Sequence, residues 1–172
     1  FSYYFKKLKL AKLYLTDINI SKTKKNLITK IKKKNIILLK SDVTYSKDKI
    51  FKLKKIDIII HAATIASPTF YRKYPLKTAE ANVVGLKNLL NLSVKKKPKR
   101  ILFFSSSEIY GNPDKNNIPT KETYNGNVST MGPRACYDES KRYGETLCYI
   151  YNDLHKLPIR IVRPFNNYGP FL

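Results

Sequence analysis

Apolar residues along this chain fall into short continuous runs separated by stretches with helical spacing. Residues 56–63, Ile-Asp-Ile-Ile-Ile-His-Ala-Ala, and residues 100–105, Arg-Ile-Leu-Phe-Phe-Ser, have strand length and no polar face. Such runs predict strands covered on both sides of a sheet. Residues 12–18 alternate and end near Asp17, residues 35–41 lead into Asp42-Val43, and residues 158–165 form a last apolar run; all three predict strands. Residues 75–95 place Ala79, Asn82, Val83, Leu86, Leu89, Leu90 and Val94 at helical spacing behind Pro75, a residue suited to a helix first turn. Residues 135–155 predict a second long helix, residues 21–34 a lysine-rich surface helix, residues 48–54 a short helical stretch and residues 1–10 the tail of a helix. Residues 111–133, rich in Asn, Pro, Gly and Thr, predict a long loop. Apolar strands alternating with helices indicate an α/β fold on a parallel sheet, in one domain over residues 1–172.

Composition narrows the class. Hydrophobic residues at 42% suffice for a real core. No apolar run approaches the roughly 20 residues of a membrane span, and no small-residue cleavage site follows an apolar N-terminal core. The chain therefore reads as a cytoplasmic protein without a membrane partner. Cys136 and Cys148 lack metal-ligand spacing, and His61 and His155 have no metal partner nearby in sequence, so no metal is expected. His61 reads as a packing residue and His155 as a surface residue at a helix end. The net charge of +22 would suit a nucleic-acid partner. The lysines, however, are scattered around predicted strands and on outer helix faces, which argues against a nucleic-acid module; the positive field would help attract an anionic substrate.

Candidate chemistry centres on Tyr137 and Lys141, four residues apart and so on one helix face. An ammonium beside a phenol favours the phenolate and is expected to lower the Tyr137 pKa, fitting it to take a proton from a sugar hydroxyl while hydride leaves for nicotinamide. Upstream, the strand over 100–105 runs into Ser105-Ser106-Ser107-Glu108. Hydroxyls at the carboxyl end of a parallel strand stand where ligands bind in such sheets. Asp17 and Asp42 also lie at strand ends, and an acid there can contact ribose hydroxyls while repelling a 2′-phosphate, favouring NAD over NADP.

His61-Ala62-Ala63, Asn82, Ser105 to Gly111, Gly132 to Arg142 and Arg163 to Pro170 together resemble the extended short-chain dehydrogenase/reductase family. Within it, GPRACYDESKRYGE and HAATIASPTFYRKYPLKT are most similar to the UDP-glucuronate decarboxylase subfamily. The resemblance implies a Rossmann-like, doubly wound parallel sheet and NAD as cofactor. It also implies roles for individual residues. Asp17 would bind the adenosine ribose, Asp42 and Val43 would flank the adenine, and Ala62, Ala63 and Thr64 would line the phosphates and ribose. Asn82 would stand near the cofactor, and Ser105 and Asn167 by the nicotinamide. Ser106, Tyr137 and Lys141 would form the catalytic triad, with Glu108 beside the sugar; Ser107, Asn166 and Tyr151 would complete the substrate side. Two positions depart from the subfamily: Glu80 stands where the decarboxylases carry a Lys and Ala81 where they carry a Thr.

The activity this implies is oxidation of a nucleotide sugar at C4, most simply decarboxylation of UDP-glucuronate to UDP-xylose. A 4-epimerase remains open. A 4,6-dehydratase needs an acid for the leaving hydroxyl, and Ser107 occupies the position where that subfamily carries an Asp. The family's Gly-rich fingerprint and its C-terminal substrate domain are not found in these residues, so the sheet is expected to be truncated at both ends and the isolated piece to be inactive. A homodimer formed through the helices near 76–95 and 135–155 is the expected assembly.

Overall fold

A computed structural model describes residues 12–21 and 36–168. The expected helix tail over 1–10 and, but for Ser21, the surface helix over 21–34 lie outside these residues. Among the described residues five short strands form two parallel sheets. In the first, β1 (Leu13–Asp17) pairs with β2 (Ile36–Lys40) in register from Leu13 against Ile36 to Asp17 against Lys40. In the second, β3 (Ile58–His61), β4 (Arg100–Phe104) and β5 (Ile159–Val162) lie in that order, with His61 opposite Phe103 and Phe104 opposite Val162. All expected strands are present, and the carboxyl ends of β3, β4 and β5 line up. Among the described residues the two sheets share no strand pairing, which leaves a gap between β1 and β3 in agreement with the truncated sheet expected from the resemblance.

Two helices follow β3 in quick succession. Pro68 opens α1 (Pro68–Lys73) and Pro75 opens α2 (Pro75–Glu80), each at a first-turn position where a missing N–H costs nothing. The first of these was not evident from the spacing. The helix expected over 75–95 is continuous but not uniform, because a π-helical turn at Ala81–Gly85 separates α2 from α3 (Leu86–Lys96). The extra residue rotates the apolar stripe and brings Asn82 inward. The final helix, α4 (Ala135–His155), has the expected bounds. Residues 48–54 contain one short turn, Lys49–Lys52, capped by the Asp48 side chain.

One core holds the second sheet to its helices. Ile59, Ile101, Phe103 and Ile159 project from a single face and pack with Leu86 and Leu90 of α3 and Leu147 and Cys148 of α4. Gly144 makes this approach possible, since a Cβ there would stand 2.7 Å from Phe103 Cζ. Because α3 and α4 both cover the same face, Ile58 and Ile60 on the other face of β3 stay 53% and 38% exposed. The expectation that β3 is buried on both sides is thereby corrected. The predicted long loop is pinned rather than loose. Arg142 Nη1 donates to the Ile109 and Asn125 carbonyls, each at 2.8 Å, and Arg163 makes a bidentate pair with Glu145 at 2.9 and 2.7 Å while donating to Tyr110 Oη and Glu122 O.

Candidate active site

Residues at the carboxyl ends of β3 and β4 meet the first turns of α4. Tyr137 and Lys141 lie on one face of that helix, and both are buried. The Ser106 hydroxyl, just beyond β4, stands beside the Tyr137 phenol and pulls its pKa down, and it accepts the Glu108 N–H at 3.3 Å. Lys141 Nζ donates to the Phe104 carbonyl at 2.7 Å and lies 5.1 Å from the Phe103 ring centroid and 5.7 Å from that of Tyr137. The three residues expected to form a catalytic triad are therefore together, with the phenol turned toward the strand end.

Electrostatics differ from the expectation. Burial pushes the Tyr137 phenol up, and the opposing pull of Ser106 does not outweigh it. The same burial pushes Lys141 down to about 8. The anticipated lowering of the Tyr137 pKa by Lys141 is thus corrected: the ammonium is committed to the Phe104 carbonyl, and desolvation dominates both groups.

Buried polar atoms without hydrogen-bond partners collect here. They include Thr64 Oγ1, Asn82 Oδ1, Ser105 Oγ, Tyr71 Oη, Asp138 Oδ1 and both His61 ring nitrogens. Native interiors leave few such atoms unpaired, so this concentration marks a place built to contact a ligand or ordered water. Asn82 is fully buried and donates from Nδ2 to Ser140 Oγ at 2.8 Å, tying the π-helical turn to α4. His61 stacks on Phe103 with centroids 5.9 Å apart, as a packing residue would, and burial together with nearby Lys141 pushes it down to about 4.

On the other side of Tyr137 stands a cluster to which the sequence reading assigned no role. The Tyr71 ring stacks on Tyr137, centroids 5.1 Å apart and planes 13° from parallel. Arg134 pairs with Glu108 and reaches Asp138 Oδ2 at 3.4 Å. Burial works against the Arg134 charge, but Asp138 and Tyr71 outweigh it and raise its pKa. Burial likewise pushes Asp138 up against the pull of Arg134. Neither Tyr71 nor Arg134 carries a one-chain signal beyond membership of the quoted motifs.

The remaining expected residues are distributed as follows. Ala62, Ala63 and Thr64 leave the end of β3, and Ser107 begins the turn after Ser106. Asn166 and Asn167 are exposed just beyond β5. Asp17 ends β1 and accepts the Asn19 N–H at 2.7 Å, whereas Asp42 Oδ1 is engaged by Thr44 N at 2.9 Å and Thr44 Oγ1 at 2.7 Å. Val43 is buried against α3, where Asn88 donates to its carbonyl. Tyr151 is not brought to the site: it lies about 21 Å along α4 from Tyr137 and donates to Asn91 Oδ1 at 2.6 Å. A concavity of about 440 Å³ beside Lys97, His155 and Leu157 opens at the opposite strand ends and contains none of the site residues. Among the described residues no three His, Cys, Asp or Glu side chains could hold a metal, and no helix is long and apolar enough to cross a membrane.

The model of the NAD dependent epimerase/dehydratase family matches residues 6–171. The chain belongs to this family. Curated relatives include UDP-glucuronic acid decarboxylase 5 of Arabidopsis thaliana, 48% identical over 118 residues that cover 69% of this chain and 34% of that protein. UDP-glucuronic acid decarboxylase 1 of Xenopus tropicalis is 44% identical over 116 residues, covering 67% of this chain and 27% of that one. The match thus spans about a third or less of the length of these relatives. Among solved structures, the UDP-glucose 4-epimerase of Thermotoga maritima with UDP-glucose superposes with a TM-score of 0.77 at 25% identity, over 92% of this chain and 49% of that one. The dTDP-glucose 4,6-dehydratase DesIV of Streptomyces venezuelae, 21% identical, shares the fold with a TM-score of 0.76. This epimerase/dehydratase chain is therefore a Rossmann-like α/β protein of an enzyme family.

Proposed function

We propose that this chain carries the NAD-binding and catalytic core of a nucleotide-sugar enzyme that oxidises its substrate at C4, with UDP-glucuronate as substrate and UDP-xylose as product. The observation that carries the reading is the meeting of the Tyr137 phenol, the Ser106 hydroxyl and the buried Lys141 at the carboxyl end of β4. The identity of 44–48% to UDP-glucuronic acid decarboxylases supports the choice of substrate.

The residues present fit a nicotinamide cofactor, because Thr64 Oγ1, Asn82 Oδ1 and Ser105 Oγ are buried and unpartnered at the strand ends. Asp17 would hold its ribose, Asp42 and Val43 its adenine, Ala62, Ala63 and Thr64 its phosphates, and Ser105 and Asn167 its nicotinamide. When bound, NAD+ supplies the hydride acceptor at C4 and returns the hydride after carbon dioxide has left.

Tyr137 takes the proton of the C4 hydroxyl, which Ser106 orients by a hydrogen bond. The C4 ketone stands β to the C6 carboxylate, so the C5–C6 bond breaks with its electron pair moving into the C4–C5 enolate, and carbon dioxide departs. A proton then reaches C5, and Tyr137 gives its own back to the C4 oxygen. Lys141, anchored on the Phe104 carbonyl, fixes the Tyr137 ring from below. Glu108, Ser107 and Asn166 would face the sugar.

Exposed apolar side chains support a homodimer. Leu76 and Val84 on α2 and its π-helical extension, and Tyr143, Ile150 and Leu154 on α4, leave an apolar surface on the two helices. Free Cys136 and Cys148 accord with a reducing, cytoplasmic compartment.

The test is product analysis of the full-length protein with NAD+ and UDP-glucuronate. Release of carbon dioxide with formation of UDP-pentose is expected. Retention of all six sugar carbons, as an epimer or a deoxy product, would replace this reading with an epimerase or dehydratase. A preference for NADP+ would overturn the role given to Asp17.

A further inference from the structure

We propose that the concavity at the amino ends of β4 and β5 binds a small organic polyphosphate, at a site separate from the active site. The inference goes beyond the decarboxylase reading and does not depend on it.

Lysines that stand far apart along the chain meet at this end of the second sheet. Because β3, β4 and β5 are parallel, the segments that precede them lie side by side. The Lys99 N–H donates to the Asp57 carbonyl at 2.7 Å and the Ile101 N–H to the Pro158 carbonyl at 3.0 Å, which joins the three segments. Lys54 and Lys55 come from the first, Lys95 to Lys97 and Lys99 from the second, and Lys156 from the third. Lys96 Nζ reaches across to the Lys54 carbonyl at 3.4 Å. Among the described residues two carboxylates pair with these cations. Asp57 lies 3.9 Å from Lys55 and 3.7 Å from Lys99, and Asp153 lies 3.5 Å from Lys156. This end therefore carries a surplus of positive charge, at the opposite ends of the strands from Ser106 and Tyr137.

The centre of the surface is concave. About 440 Å³ opens between the ends of α3 and α4, within the range of pockets that take small organic ligands. Its floor is aliphatic, formed by Val94, Leu157 and the rings of Pro98 and Pro158, all buried or half-buried. Lys97, His155 and Lys156 are exposed and form its rim. A lysine ammonium offers donors and no acceptor, so the rim suits oxyanions such as phosphate. The floor suits a carbon-bearing body, and a ligand with both parts uses the whole cavity.

Lys97 and Lys156 also have left-handed backbone, with φ 49° and 51°. They end α3 and α4 at the position glycine most often takes, and so place an ammonium at the mouth of the cavity where glycine would place none. A cation at a helix C-terminus complements the helix dipole, which accounts for one lysine at each helix. It does not account for Lys54, Lys55 and Lys99, which belong to neither helix. Two carbonyls that would repel an anion here are engaged: Ser93 O accepts the Lys97 N–H at 2.8 Å, and Leu157 O accepts Asn152 Nδ2 at 2.7 Å. The Lys156 pair with Asp153 is exposed on both sides and yields readily to a bound phosphate.

Photolabelling of the full-length protein with azido-ATP, located by peptide mass spectrometry and displaced with ATP or inorganic tripolyphosphate, tests the site. The label should fall on peptides that hold residues 94–98 and 155–158. ATP should displace it about 10-fold more effectively than tripolyphosphate, because only ATP has a body for the aliphatic floor. Lys97→Glu combined with Lys156→Glu should weaken labelling of these peptides on the order of 30-fold. Lys95→Glu combined with Lys99→Glu, an equal change of charge outside the cavity lining, should weaken it less than about 3-fold. Equal losses in the two pairs, displacement by tripolyphosphate as effective as by ATP, or label confined to residues 61–64 and 105–108 would overturn the site. So would an oligonucleotide that displaces the label with a steep salt dependence while ATP does not, since the surface would then be a nucleic-acid interface.

Discussion

The two ends of α4 obey opposite rules. Its first turns bury Tyr137, Asp138, Ser140 and Lys141, beside unpaired polar atoms on Asn82, Ser105, Thr64 and Tyr71. Its last turns leave Tyr149 72% and Leu154 69% exposed, apolar groups in solvent, while the polar Tyr151 hydroxyl is paired with Asn91. A helix selected only for stability would reverse both choices. Burying polar groups without partners costs free energy and persists where chemistry needs it, whereas exposed apolar groups in a cluster mark a surface awaiting a partner. On the proposed reading one helix carries a catalytic end and an assembly end, separated by about four turns.

The sharpest way to break this contrast is at the phenol. Tyr137→Phe in the full-length protein should lower kcat by roughly 10³-fold or more with the far-ultraviolet dichroism unchanged, because only a proton-transfer group is lost. A variant within tenfold of wild-type turnover would remove chemistry from this end of the helix.

His61 offers the next largest effect. Its folded pKa near 4 lies below the ordinary 6.5 because burial disfavours the charge. The unfolded chain therefore binds the extra proton first as pH falls, and stability contributed by neutral His61 is complete above 6.5 and lost progressively down to about 4, on the order of 3 kcal/mol. Urea titrations at stepped pH should show this slope in the wild type and a flatter one in His61→Phe; identical slopes would mean the ring is not held neutral.

Lys141 should give a smaller net effect from a shift of the same origin. Burial lowers it from 10.5 to about 8, so the unfolded state holds more protons between these values and stability rises with pH across that window. At pH 7 the full penalty is present. Lys141→Met should then stabilise the fold by about 1–2 kcal/mol at pH 7, after losing the Phe104 hydrogen bond, while destroying activity. A destabilised variant would show that this end is built for structure. The least costly change is at the assembly end. Leu154→Lys combined with Ile150→Glu should leave monomer stability within about 0.5 kcal/mol and shift sedimentation from dimer toward monomer. An unchanged sedimentation coefficient would relocate the interface.

The linear pattern by itself determined the strand and helix succession, the parallel α/β class, the bounds of α4 and the pairing of Tyr137 with Lys141 on one face. These follow from local rules: apolar periodicity, first-turn prolines and the helical repeat each act over a few residues. Only the tertiary structure decided what lies across space. It set the π-helical turn that brings Asn82 to Ser140, the stacking of Tyr71 on a residue 66 positions away, the pairing of Arg134 with Glu108, the exclusion of Tyr151 and the exposure of Ile58 and Ile60. It also reversed the expected direction for the Tyr137 phenol. Spacing can place an ammonium near a ring, but how much water the surrounding atoms remove depends on packing from every side, and desolvation of that kind is not written along one helix.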